Sequence, residues 1–135
     1  MNKEYVYEPI GTVLTDYDDG RLFLIYGRPG KDATEVREQG AWLGDTLEKI
    51  HNENPKRKYT MLVDLDKLLL LRLDDISREI YREIIKRSYL KKIAIAGDAF
   101  SYTKILPLLV MTRFRRTKAK FFMNIACAYK WLKWK

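Results

Sequence analysis

Three aspartates, Asp64, Asp66 and Asp98, close two apolar stretches, 59–65 and 93–96, that read as strands of a parallel sheet. The carboxyl ends of such strands are where α/β folds hold their ligands. Three carboxylates converging there would offer oxygen ligands to a hard cation such as magnesium. Aspartates at strand ends also serve turns and helix caps by local hydrogen bonding, which requires no ion. A phosphoaspartyl receiver site would need paired acids on the first strand, and the sequence has none there.

His51 is the only histidine, beside Asn52 and Asn54, and no cysteine lies near it to complete a nucleophilic pair. Its place near the end of a predicted helix suits favourable interaction with the helix dipole. Cys127 is the only cysteine and stands between two alanines, the setting of a small buried residue. One cysteine and one histidine exclude an internal disulfide and a His/Cys zinc cluster. Gly27-Arg28-Pro29-Gly30 is a turn without the Gly-Lys-Ser/Thr ending of a phosphate loop. No nucleophile, general base or cofactor motif stands out, so the expectation is a binding protein with no cofactor and no resident metal.

The elements that must position these residues follow from local pattern. Residues 12–17 and 21–26 are β-rich and flank Asp18-Asp19-Gly20, a strong hairpin signal. Asp32 or Thr34 can cap a helix whose Val36, Gly40, Leu43, Leu47 and Ile50 share one face, ending near Asn52 before Asn54-Pro55. A strand over 59–65 follows, with Met61 and Val63 buried. Asp74 or Asp75 can cap a second helix, with Ile76, Ile80, Tyr81 and Ile84 as its apolar stripe. The short run 93–96 suits a central parallel strand. A third helix is predicted over about 101–114, then a strand over 119–123 and a closing helix after Asn124, with Ala128, Trp131 and Leu132 facing inward. One α/β domain over 1–135 results, with a mixed sheet of about five strands: a hairpin, then alternating helices and parallel strands.

Charge is divided unevenly along the chain of 135 residues. Residues 1–98 hold 17 Lys and Arg against 18 Asp and Glu, whereas 99–135 hold nine Lys and Arg and no acid. The whole net charge of +8 therefore comes from the last quarter. Such a potential attracts an anionic partner, whether acidic protein, membrane headgroups or nucleic acid. In the predicted third helix Phe100, Ile105, Leu106, Leu108, Leu109, Val110, Met111 and Phe114 run most of the way round, so it must be covered on more than one side. Phe100, Lys104, Leu108, Met111, Arg113, Phe114, Arg115, Arg116 and Lys118 form the candidate partner surface. The cover is the chain's own core, a second subunit or an apolar ligand. Further on, Lys130, Lys133 and Lys135 alternate with Trp131 and Trp134, a mixture suited to phosphates, stacked bases or a lipid interface. No helix-turn-helix or RNA-recognition signature accompanies them, so nucleic acid ranks below protein and lipid.

The element order and three strings resemble the SpoIIAA-like branch of the STAS superfamily. The strings are Met61-Leu62-Val63-Asp64-Leu65, Ile93-Ala94-Ile95-Ala96-Gly97-Asp98, and Asn124 followed by Ala126, Ala128, Trp131 and Leu132. The similarity spans residues 11–132 and extends more distantly to the CRAL-TRIO lipid-binding fold. It implies a non-enzymatic regulatory or ligand-binding module akin to the anti-sigma-factor antagonists. Those proteins carry a phosphorylatable serine in an Asp-Ser-Ser-Gly-like turn after the third strand. The matching stretch here is Arg72-Leu73-Asp74-Asp75, without serine or glycine, and Ser77 lies a helical turn later. The phosphoswitch is therefore not carried over. Protein partnering or dimerisation through the third helix and its basic border is the leading expectation, with lipid or anionic-membrane binding at the same surface as the alternative. With no signal-peptide pattern at the start, the expected compartment is the cytoplasm.

Overall fold

The hairpin tip sets the geometry of the first strands. In the computed structural model, Asp18 and Gly20 both have positive φ, 60° and 94°, which lets the chain reverse between Asp16 and Arg21. The described residues are 2–65, 74–98 and 118–134. They form β1 (Lys3–Tyr7), β2 (Thr12–Asp16), β3 (Arg21–Ile25), α1 (Ala33–Glu53), β4 (Tyr59–Asp64), α2 (Asp75–Ile85), β5 (Leu90–Ala96), β6 (Lys118–Phe122) and α3 (Ile125–Leu132). The helix predicted over 101–114 lies outside the described residues.

The strands make one mixed sheet in chain order, β1-β2-β3-β4-β5-β6. The pairs β1/β2 and β2/β3 are antiparallel, whereas β3/β4, β4/β5 and β5/β6 are parallel. Six strands stand where the sequence suggested about five. The addition is β1, which precedes the first strand expected from the sequence. It is an edge strand with a two-residue alternation rather than an apolar run. Along it Tyr7 packs on Trp42, with ring centroids 5.6 Å apart, Lys49 lies over Tyr5 and Lys3 pairs with Glu53.

Period-two alternation gives the sheet two faces. On one, Leu14, Leu22, Leu24, Met61, Val63, Ile93 and Ile95 meet Val36, Leu43, Leu47 and Ile50 of α1 and Tyr81, Ile84 and Ile85 of α2. On the other, Leu62 and Ala94 meet Ala128 and Leu132 of α3, with Phe23, Phe122, Ile125, Tyr129, Trp131 and Trp134 around them. The α1 stripe matches its expected residues. In α2 the stripe is rotated: Ser77 is buried and Ile76 is 54% exposed, contrary to expectation. The close α1 approach explains this, because a Cβ on Gly40 would lie 3.0 Å from Ile80 and 3.5 Å from Tyr81. The two helices therefore meet along Tyr81 and Ile84, leaving Ile76 outside.

Local hydrogen bonds define the helix starts. Asp32 accepts from the Glu35 amide at 2.9 Å, Asp74 from the Ser77 amide at 2.8 Å and Asn124 from the Ala126 amide at 2.7 Å. Each satisfies a donor that the first helical turn leaves free. The Gly27–Gly30 turn is held by Arg28, which donates to the Pro9 carbonyl and to both Glu35 carboxylate oxygens. Beside it the Gly27 amide donates to Thr12 Oγ1, whose hydroxyl donates to Gln39 Oε1, tying the hairpin to α1.

Candidate interaction surface

Of the strand-end aspartates, Asp64 closes β4 and Asp98 lies two residues beyond the end of β5. Asp64 is half-buried, Asp98 is exposed and Asp66 lies outside the described residues. Among the described residues no three His, Cys, Asp or Glu side chains are grouped to hold an ion. His51 stacks flat on Tyr89, centroids 4.3 Å apart and planes 12° apart, at the end of α1. That contact makes it a packing residue joining α1 to the start of β5. The Tyr89 hydroxyl donates to Glu48 at 2.7 Å, and burial with that carboxylate pushes it up to about 12.

The acid-free quarter is more informative. Phe100, Lys104, Leu108, Met111, Arg113, Phe114, Arg115 and Arg116 of the candidate surface lie outside the described residues. Lys118 opens β6 and pairs in register with Lys92. Beyond it, α3 lies across β4, β5 and β6. Trp134 turns back onto the sheet after Lys133, which ends the helix in the left-handed region at φ 62°. The Lys133 amide donates to the Lys130 carbonyl and the Trp134 amide to that of Tyr129, satisfying end carbonyls of α3. Trp134 Nε1 then donates to Thr60 Oγ1 at 2.8 Å, and its ring meets Tyr17, Phe23 and Tyr129.

Cations from distant parts of the chain border these rings. The Arg21 guanidinium lies 4.7 Å from the Tyr17 ring centre and 5.8 Å from that of Trp134. Lys92 Nζ lies 5.0 Å over Trp131 and donates to its carbonyl, while Lys120 sits over Phe122, which packs against Trp131. The alternation of lysine with tryptophan had suggested rings free for bases or headgroups. Instead both tryptophans are half-buried and engaged by the chain's own residues. Arg21 and Lys92 went unrecognised in the sequence, although Lys91-Lys92 inside an otherwise apolar strand was a signal that one side of β5 meets something other than core.

Cys127 is exposed, correcting the expectation of a buried thiol. At 100° per residue, the turn that buries Ala128 and Leu132 sends Cys127 outward with Ala126 and Lys130. Thus α3 has an inward face of Ala128 and Leu132, flanks of half-buried Tyr129 and Trp131, and an outward face of Ala126, Cys127 and Lys130. No helix among the described residues is long and apolar enough to cross a membrane.

A mixed sheet in chain order, with two helices on one face and a short closing helix on the other, is a SpoIIAA-like fold. A solved structure shares it: an uncharacterised protein of the DUF3478 family from Shewanella loihica PV-4, described as having a SpoIIAA-like fold. The likeness has a TM-score of 0.58 at 19% identity and covers 97% of this chain and 93% of the other. No protein-family model and no curated protein matches the sequence.

Proposed function

We propose that this chain is a cytoplasmic, non-enzymatic interaction module of the STAS type that docks a protein partner, in its simplest form a second copy, through residues 100–118. The observation that carries the reading is the division of charge: every carboxylate lies within 1–98, and the apolar stretch 105–111 is followed by Arg113, Arg115 and Arg116 with no acid to meet them. A second copy brings 18 carboxylates that this segment lacks. An apolar centre with a cationic rim is the composition of a docking surface rather than of a reaction centre. The SpoIIAA-like fold agrees with it, since the resemblance to the anti-sigma-factor antagonists implies regulation by binding.

Light scattering on the full chain tests the reading. A mass near twice 16.0 kDa is expected, returning to the single-chain value when Arg113, Arg115 and Arg116 are all changed to Glu. A wild-type mass that stays at the single-chain value at every concentration overturns self-docking.

A further inference from the structure

We infer that the outward face of α3 is an interfacial docking surface for an anionic phospholipid bilayer. The argument rests on α3 and β6 and is independent of what residues 100–118 bind.

The face has two halves. At its amino end stand Met123, 73% exposed and just past the end of β6, and exposed Ala126 and Cys127 in the first turn of α3. At its carboxyl end exposed Lys130 shares the side of Ala126, four residues earlier, and exposed Lys133 follows just past the last helical turn. Lys120 adds a third exposed charge over Phe122. No ion pair among the described residues engages Lys120, Lys130 or Lys133, and the sequence from 99 to 135 contains no acid to provide one. Tyr129 and Trp131 lie half-buried along the two flanks.

This arrangement fits a lipid surface better than an acidic protein. A convex single helix offers no groove for a peptide to enter. Its charges are lysines, point cations on flexible stems that suit a diffuse anionic plane, rather than the guanidinium forks that recognise carboxylates two oxygens at a time. Exposed apolar side chains flanked by Tyr and Trp, with lysines beside them, are the composition of a helix lying in a headgroup layer. Lysines at an anionic membrane surface act nearly independently, so each is worth about five-fold in affinity.

The test is flotation of the full chain with vesicles of phosphatidylcholine alone or mixed with phosphatidylserine, at low and high salt. Binding is expected only with phosphatidylserine and is expected to fall with salt. Changing Lys120, Lys130 and Lys133 together to Gln should weaken it by on the order of a hundredfold. Met123→Ser should weaken it several-fold, with unchanged circular dichroism and melting temperature for both variants. Changing Arg113, Arg115 and Arg116 to Gln should leave most of the binding in place. Absence of flotation at low salt overturns the inference. So does flotation that survives the lysine changes but is lost with the arginine changes. Retention of an acidic polypeptide such as polyglutamate with no phosphatidylserine binding would overturn it in favour of a protein partner.

Discussion

Trp134 donates its indole N–H to the hydroxyl of Thr60 across 2.8 Å, joining the last described residue of the chain to the middle strand region of the sheet. The bond fixes the ring against Tyr17, Phe23 and Tyr129 and beside Arg21, so the closing segment reaches β3 and the hairpin tip as well as the strands under α3. Trp134→Ala removes that contact area together with the hydrogen bond. A loss of about 2 kcal/mol is expected, less than for a fully buried tryptophan. Trp134→Phe keeps much of the area and should lose about 1 kcal/mol. Urea unfolding midpoints measure both, and equal stability of all three chains would show that the contact contributes nothing.

Acid should weaken the fold through the start of α1. Arg28 beside Glu35, with the Lys31 amide, holds the Glu35 carboxyl at about 2 against an ordinary 4.5. A carboxyl lowered by folding contributes stability that is complete above the unfolded value and disappears as pH falls through the folded one. The loss is therefore expected between pH 4.5 and about 2. Asp74, held well below its ordinary value by Arg37 and the Ser77 amide, adds to the same acid limb. Glu35→Gln should make stability depend less steeply on pH across that window. Urea midpoints at several acidic pH values give the two slopes, and parallel slopes would remove Glu35 as a source.

Gly27 is required by a close approach of two chain segments. A Cβ there would lie 2.0 Å from the Ile10 carbonyl oxygen, in backbone that cannot swing aside as a side chain would. Arg28 also donates its amide to that same carbonyl at 3.1 Å. Gly27→Ala should cost at least about 3 kcal/mol, at the upper end for overpacking. A melting temperature within a degree or so of wild type would contradict the contact.

The parts of the fold legible in the sequence are those where one local signal decides the outcome. Asp-Gly between β-rich runs gave the β2–β3 hairpin, and Asp32, Asp74 and Asn124 cap helices where their spacing to an apolar stripe requires it. Val36, Gly40, Leu43, Leu47 and Ile50 are all buried, because a long helix averages over local irregularity. What escaped notice depends on partners distant in sequence. β1 is defined by pairing with β2 and packing on α1, so its own residues need only alternate. Ile76 is outside because Gly40 sets where α2 touches α1. Cys127 faces outward because the phase of α3 follows from Ala128 and Leu132, and flanking alanines do not reveal that phase. The basic, acid-free character of the closing segment was legible, but not that Arg21 and Lys92 join it, since strand pairing brings them there.

The order β1-β2-β3-β4-β5-β6 has a kinetic meaning. The parallel pairs β3/β4, β4/β5 and β5/β6 each close over a long crossover and pair slowly, whereas the β1-β2-β3 meander pairs locally and can form rapidly. The α3 face is the opposite case, since Tyr17 meets Trp134 only after nearly the whole chain has been made. During synthesis the hairpin, α1 and β4 can associate early, whereas Phe23 and Leu62 wait uncovered for the final helix. The late-closing side of the sheet is thus the one exposed to other molecules while the protein is being born.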